Sequence, residues 1–305
     1  MMNHQIPKIG ELRSDGYFIN PNTDLCESYT YRSLILGEDE KRLKLGMSEV
    51  LHMDKPLKGD LLEVVCKVRA NHDWVKEAKA KLGAKSALTK EVKAFYAQIV
   101  EEPQTIEKAK LSNKYKDASE KPLNVLLIGF DSTSRASFYR QLPETVNYLS
   151  KRFTFVNDKD ENLAAMRRLW EKRMQENGQK LKDIEHVDDV LIYEMSGSTI
   201  VGDGTAANIA GLMAGVPIET LPEARMRVNG SSHIDRWPMI WNNATDNGYV
   251  TLWAEDGPGI GAFTLRLKGY KKQPTDHYFR PYWLGHGRYT KYSNALFSLL
   301  NILVA

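Results

Sequence analysis

Apolar and polar positions divide the chain near residue 121. The part that follows contains three apolar runs, LNVLLIGF (123–130), DVLIYEM (189–195) and GYVTLWAED (248–256). The first two lack strict alternation, which is typical of strands covered on both faces of a parallel sheet. Helical stretches separate the runs, and strands that alternate with helices indicate an α/β domain from about residue 122 onward.

The preceding region has a mixed pattern. Its first sixty residues or so are rich in turn signals, and DLLEVVCKVRA (60–70) predicts a short strand. The stretch 73–102 predicts helix with a break near Gly83, and the polar stretch 110–122 predicts a linker. We therefore expect a mixed N-terminal α/β region with a linker at 1–121 and a larger α/β domain at 122–305.

Composition fits a folded chain with a sizeable core. The 305 residues are 42% hydrophobic, and the net charge of +3 gives no indication of a nucleic-acid partner. No run reaches transmembrane length, and the N-terminus lacks an apolar stretch of signal-peptide length. Taken alone, these features predict a soluble cytosolic protein. The two cysteines, Cys26 and Cys66, are compatible with one bridge or with two free thiols.

Asp131 directly follows the first apolar run. In open α/β sheets, ligands bind beyond the carboxyl ends of the strands, so a carboxylate at this position is a candidate metal ligand or acid–base group. A structural alternative remains open, because Ser132 and Ser134 are also suitable caps for the helix that follows.

Thr205 opens a helix of small residues in VGDGTAANIAGLMAG (201–215). Glycines on both sides of Asp203 allow a sharp turn and a close approach of a ligand to the backbone. A hydroxyl at a helix N-terminus lies at the positive end of the helix dipole, which favours an anion or an alkoxide. Thr205 is therefore either a nucleophile or a simple helix cap.

Four blocks in order carry a family resemblance: NVLLIGFDSTSR (124–135), VGDGTAANIAGLMAG, GYVTLWAEDGPGIGAF (248–263) and KQPTDHYFRP (272–281). Together they resemble an uncharacterised animal family of sulfatase-like proteins in the alkaline-phosphatase superfamily. The resemblance implies an alkaline-phosphatase-like α/β/α sandwich with a mostly parallel sheet, of which the C-terminal part is missing from this chain.

The resemblance also implies roles. Asp131 matches the first metal-binding aspartate of the superfamily, and Thr205 matches the nucleophile, whose oxygen also contacts the metal. A divalent cation, Zn²⁺ by expectation, would lower the pKa of the hydroxyl and polarise the ester. The sequence Thr205-Ala206-Ala207 departs from the C/S-x-P-x-R context of formylglycine sulfatases, which favours a phosphoester or phosphodiester over formylglycine chemistry. Asn208 is a candidate donor to a substrate oxygen.

Several other acidic and histidine residues are weaker candidates. Glu255 and Asp256 end the third strand and fit either a cation or substrate site or a solvated turn before Gly257. Asp276 and His277 resemble a block that precedes the usual ligands, so a structural loop is the preferred interpretation. His286 is a lone histidine, for which a surface position is the preferred interpretation over a ligand role. A superfamily metal site needs more Asp and His ligands than these, so we expect a fragment with an exposed sheet edge.

Two further features bear on the domain organisation and on the expected cellular location of the protein. A charged helical stretch at 157–187 intervenes where the family runs directly from the first helix to the next strand. Two interpretations are open, an inserted surface helix or a retained piece of a faulty gene model. Family members are mostly secreted, and sequons begin at Asn229 and Asn243. A secreted chain would then form a Cys26–Cys66 disulfide.

Three functions follow as hypotheses. The first is a fragment of a metal-dependent phosphoester or sulfoester hydrolase that acts on a small-molecule or glycan ester. The second is a catalytically inactive secreted scaffold or binding protein of the same fold. The third, a cytosolic helical interaction protein, requires the buried strands to be something else.

Overall fold

The computed structural model describes residues 7–20, 24–82, 90–112, 123–155, 168, 172, 175–176, 187, 190–193, 195, 197–289 and 299–304. The strands are β1 Glu11–Leu12, β2 Phe18–Ile19, β3 Cys26–Leu36, β4 Leu43–Leu45, β5 Glu49–Val50, β6 Leu61–Val68, β7 Glu91–Ala97, β8 Leu126–Phe130, β9 Thr154–Phe155, β10 Leu191–Ile192, β11 Leu252–Ala254, β12 His277–Tyr278 and β13 Leu299–Val304. The α-helices are α1 Asp73–Leu82, α2 Pro103–Ser112, α3 Arg135–Gln141, α4 Pro143–Arg152, α5 Thr205–Ala214, α6 Ile240–Asp246 and α7 Arg280–Tyr289.

Contacts divide the chain into two compact units, 1–129 together with 202–305, and 130–201. Because both helices and strands are present, the fold is mixed α/β. The predicted boundary near residue 121 and the insertion at 157–187 stay predictions, and most of the proposed insertion lies outside the described residues. Among the residues that the structure describes, no helix is both long and apolar enough to cross a membrane.

An antiparallel sheet of five strands forms the N-terminal part of the first unit. Its order is β4-β3-β6-β7, and β5 also pairs with β3. The strand predicted at 60–70 is present as β6, the central strand. The side chains on one face of β6 form a core with residues of the segments 9–18 and 25–31. Phe18, Leu25, Leu62 and Val64 in this core are all at most 1% exposed.

The helix predicted over 73–102 is only partly correct. Helix α1 ends at Leu82, but residues 91–97 form strand β7 and pair along β6 from Leu61↔Ala97 to Lys67↔Glu91. The segment EVKAFYA contains a β-branched residue and two aromatic residues, which suit a half-buried sheet position. Tertiary pairing with β6 therefore overrides the helical pattern. The predicted linker at 110–122 begins inside helix α2.

A second sheet contains four strands in the order β12-β11-β13-β8. Strands β11 and β12 run parallel, whereas β11 and β13 run antiparallel, so the described sheet is mixed. Strand β8 was predicted to be covered on both faces, but it is the last strand in the described order of this sheet. Leu126 and Ile128 on this strand are 58% and 50% exposed, so one face is uncovered in the described structure. The core beside the sheet is aromatic and includes Trp237, Trp241, Trp253, Phe263, Tyr270 and Tyr278.

The second compact unit, 130–201, is described in part. Helices α3 and α4 pack around Tyr139 and Val146, and strand β10 pairs in parallel with β9. The apolar run at 189–195 is thus a strand over Leu191–Ile192.

Candidate functional site

Thr205 is the first residue of helix α5, as predicted. The preceding Gly204 has a φ of 82° and a ψ of 170°, a conformation that is essentially restricted to glycine. At Gly202, a Cβ atom would lie 2.8 Å from the Cβ of Ala207, so the loop passes too close to the helix for a side chain. These two glycines place the half-buried Thr205 at the helix N-terminus, where the helix dipole is positive.

Asn208 fixes the loop in front of Thr205. Its Nδ2 atom donates to the carbonyl oxygens of Gly202 at 2.8 Å and Gly204 at 2.9 Å. Both amide hydrogens therefore bind the backbone that leads into α5. The structure gives Asn208 a positioning role, and its predicted contact with a substrate oxygen stays a prediction.

Asp131 lies directly after β8 and belongs to the second compact unit, whereas Thr205 belongs to the first. The Asp131 side chain is exposed, and its Oδ1 atom accepts from the backbone N–H of Ser132 at 2.9 Å. Ser132 adopts a positive φ of 54°. Helix α3 is capped by Ser134, whose Oγ accepts from the Ser137 N–H at 3.1 Å. Asp131 is therefore an exposed carboxylate at a strand end, and capping is done by another residue.

Asp131 and Thr205 alone do not supply enough ligands for a complete metal site. Within the described ranges, no group of three or more His, Cys, Asp or Glu side chains is arranged to hold a metal ion. Zn²⁺ in proteins usually has three or four such ligands. The described residues therefore do not fit the divalent cation that the resemblance implies.

Glu255 and Asp256 follow β11, as predicted. The Glu255 carboxylate accepts the backbone N–H of Ala262, and a Cβ at Gly261 would lie 2.8 Å from its Oε2 atom. Glu255 thus closes the turn over 255–262, which favours the structural alternative for this residue. Asp256 is half-buried in the same turn.

Asp276 and His277 are held by other protein groups. The Oδ2 atom of Asp276 accepts from the N–H and the hydroxyl of Thr251, both at 2.8 Å, and Lys108 Nζ lies 3.3 Å from its Oδ1. Burial acts to raise the pKa of Asp276, but these hydrogen bonds and Lys108 together lower it. Nδ1 of His277 contacts Asp60 Oδ2 at 2.5 Å, and this hydrogen bond raises the pKa of His277. Both residues therefore have structural partners.

His286 is half-buried among aromatic rings. Its ring centroid lies 6.1 Å from that of Phe95, 6.2 Å from that of Tyr282 and 6.0 Å from that of Trp283. Burial lowers its pKa, which favours the neutral ring. These contacts describe a core histidine.

A buried ion pair escaped the sequence analysis. Glu40 and Arg280 are 1% and 3% exposed, and Arg280 Nε lies 2.6 Å from Glu40 Oε2. Glu40 also accepts from both the Tyr278 hydroxyl, at 2.9 and 3.0 Å, and the Tyr270 N–H, at 3.1 Å. No sequence signal joins these residues, since Glu40 and Arg280 are 240 positions apart.

Cys26 and Cys66 form a disulfide across strands β3 and β6, with Cα atoms 5.5 Å apart. Both predicted glycosylation residues are exposed: Asn229 lies in a turn and Asn243 lies on helix α6. The structure thus leaves both asparagine side chains accessible to a modifying enzyme.

Residues 43–157 and 182–298 match a family that is described as a protein of unknown function, DUF229. The two segments cover more than half of the chain and include the positions of both Asp131 and Thr205. They leave out 158–181, which lies inside the stretch where an insertion is predicted. No curated protein and no solved structure matches the chain.

Proposed function

The chain belongs to the DUF229 family of proteins of unknown function. We propose that it is a hydrolase-like protein that acts on phosphate or sulfate esters. In this proposal, residues 122–305 belong to an alkaline-phosphatase-like α/β/α domain with a mostly parallel sheet. Thr205 occupies the nucleophile position, and a small-molecule or glycan ester is the substrate.

The observation that carries the proposal is the position of Thr205. It starts helix α5 directly after a Gly204 that has a conformation reserved for glycine, and Asn208 holds the loop. The backbone N–H groups of a first helical turn have no intrahelical partners, so they can bind an oxyanion. A threonine that only capped the helix would precede its first turn, whereas Thr205 is already in that turn and Gly204 is the N-cap residue.

In the proposed reaction, the Thr205 oxygen forms a bond to phosphorus or sulfur, the bond to the ester oxygen breaks, and the proton that Thr205 loses ends on the departing alcohol. Water then displaces the threonine, and one of its protons restores the hydroxyl. The described residues hold no complete ligand set, so the proposal assigns no step to a metal. Asp131 and Thr205 remain the positions that the resemblance predicts to contact a divalent cation, Zn²⁺ by expectation.

The test combines metal content with turnover. The chain is purified and assayed for bound divalent metal and for hydrolysis of p-nitrophenyl phosphate, bis(p-nitrophenyl) phosphate and p-nitrophenyl sulfate. The Thr205→Ala variant is compared with Thr220→Ala, which removes an exposed hydroxyl that donates to the Pro217 carbonyl at 2.8 Å. We expect Thr205→Ala to lower kcat by at least about a thousandfold, as for other covalent nucleophiles, and Thr220→Ala to leave it unchanged.

The second candidate function is a catalytically inactive scaffold or binding protein of the same fold. The missing ligand set among the described residues favours it. Turnover that is equal in wild type and Thr205→Ala, or no turnover together with no stoichiometric metal, would overturn the hydrolase proposal and leave this one.

We further propose that the chain passes through the secretory pathway. The Cys26–Cys66 disulfide and the two exposed sequon asparagines support this location, because disulfides persist in oxidising compartments and sequons are modified there. The near-neutral charge offers no support for a nucleic-acid partner.

A further inference from the structure

A cavity of about 630 Å³ opens in the first compact unit between the segments 232–242 and 270–274. Its size falls in the range of about 300–1,000 Å³ that small-molecule sites occupy. All residues that line it belong to these two segments, so the cavity is built within one unit.

Hydrogen bonds hold the two walls of the cavity together. The Asp235 carboxylate accepts the backbone N–H groups of Lys271 and Lys272, both at 2.9 Å. The N–H of Ile234 donates to the carbonyl of Gly269 at 3.0 Å, and the His233 ring lies 3.2 Å from the same oxygen. The shape of the cavity is therefore fixed before any ligand binds, which lowers the entropic cost of binding.

The base of the cavity is rigid. Trp237, Met239 and Trp241 line it and are at most 2% exposed. Trp237 is also held by a hydrogen bond from its indole N–H to the Pro222 carbonyl at 3.0 Å. These side chains belong to the aromatic core of the unit, so the base cannot collapse into the cavity.

The rim of the cavity is cationic. Arg236, Lys271 and Lys272 are exposed, and in the described part of the chain their side chains form no ion pair. The carboxylate among them, Asp235, already accepts two backbone N–H groups. The three side chains therefore leave an excess of positive charge at a preformed cavity, which favours an anion.

We propose that this cavity binds a sulfate or phosphate ester about as large as one sugar ring. Arg236, Lys271 and Lys272 would hold the oxyanion, because charge-assisted hydrogen bonds from Lys and Arg suit such groups. The rest of the ligand would fill the cavity, where Asn242, Gln273 and Ser232 supply polar atoms. This site is separate from the proposed nucleophile and stands without the hydrolase proposal.

The test measures binding by calorimetry with the full chain carrying Thr205→Ala, so that turnover does not interfere with the measurement. The probes are glucose 6-phosphate, glucosamine 6-sulfate, inorganic phosphate, inorganic sulfate and glucose. The variant Lys271→Gln/Lys272→Gln is compared with Lys44→Gln/Lys55→Gln, which removes the same charge from exposed positions outside the cavity.

We expect a sugar ester to bind at least about tenfold more tightly than inorganic phosphate or sulfate. Glucose should bind more weakly than either inorganic anion. Lys271→Gln/Lys272→Gln should weaken ester binding by at least about tenfold, since it removes two charge-assisted hydrogen-bond donors. The control pair should leave the Kd within about twofold. Circular dichroism verifies that both variants are folded.

Three outcomes would overturn the proposal. The first is that no ester binds at millimolar concentration. The second is that the two double variants weaken binding equally. The third is that esters bind no more tightly than the inorganic anions. The second outcome would show general charge attraction, and the third would show that the volume of the cavity has no part in recognition. None of them depends on whether Thr205 is a nucleophile.

Discussion

Glu40 shows how a single carboxylate is accommodated in the core. Burial raises the pKa of Glu40 to about 7, while Arg280, Tyr278 and the Tyr270 N–H act to lower it. Removing one partner of a buried ion pair leaves the other charge without compensation, which costs more free energy than the pair contributes. The stability of this region therefore depends on Arg280 more strongly than on any exposed cation.

Arg280→Met should lower the free energy of unfolding by about 3 kcal/mol at neutral pH. The folded pKa of Glu40 lies above its ordinary 4.5, so its contribution is complete below pH 4.5 and is lost as pH rises through about 7. Without Arg280 the folded pKa rises further, and the loss extends to higher pH. Thermal unfolding at pH 5 and pH 8 should thus show a larger decrease in Tm at pH 8.

The matched control for this variant is Lys67→Met. Lys67 pairs with Glu27 at 3.0 Å, but both side chains are more than half exposed, at 62% and 54%. An exposed pair contributes less than about 1 kcal/mol, so the control should change Tm little at either pH. Equal decreases in the two variants would contradict the buried-charge explanation.

At the scale of elements, the tight loop before helix α5 is the local feature that the sequence predicts most clearly. Gly204 has a φ of 82°, and a Cβ there would meet no atom within 4 Å. Gly204→Ala should therefore destabilise the chain by about 1–3 kcal/mol through backbone strain alone. Gly259→Ala is the control, since its Cβ would also meet no atom within 4 Å and its φ is not positive. Urea unfolding that affects both variants equally would exclude strain as the cause.

Local signals predicted some elements and missed others. Helix α5 and strand β6 were predictable, because a Gly-rich loop, a small-residue helix and a β-branched run act within a few neighbouring residues. Strand β7 was not, since EVKAFYA becomes a strand only by pairing with β6. The partners of Asp276 and His277 were equally hidden: Lys108 and Asp60 lie 168 and 217 positions away.

The candidate catalytic residues illustrate the same limit. The position of Thr205 at a helix N-terminus follows from its neighbours in sequence, and the structure agrees. A ligand set for a metal needs side chains from distant segments, which periodicity cannot identify. The cationic cavity was also missed, because Arg236 and Lys271 are brought together by hydrogen bonds between distant segments, such as those of Asp235.

At the scale of the whole molecule, the proposed secretory route makes a simple prediction. Expressed in animal cells with a secretion signal, the chain should carry N-linked glycans at Asn229 and Asn243. Treatment with peptide N-glycosidase F should then reduce its mass, and each of Asn229→Gln and Asn243→Gln should remove one glycan. Ser231→Ala, which destroys the first sequon but keeps its asparagine, provides the control for Asn229→Gln. An unchanged mass after treatment would contradict this route.

The long separation between Glu40 and Arg280 has a consequence for biosynthesis. Strands β3 and β6 can pair, and Cys26 can join Cys66, once the first hundred residues or so have left the ribosome. Glu40 meets Arg280 and Asp60 meets His277 only after residues 277–280 emerge, 240 and 217 positions later. Asp60 can already accept the Val100 N–H, so a nascent chain would hold an oxidised sheet in which the Glu40 carboxylate is still solvated, and chaperones would meet that intermediate.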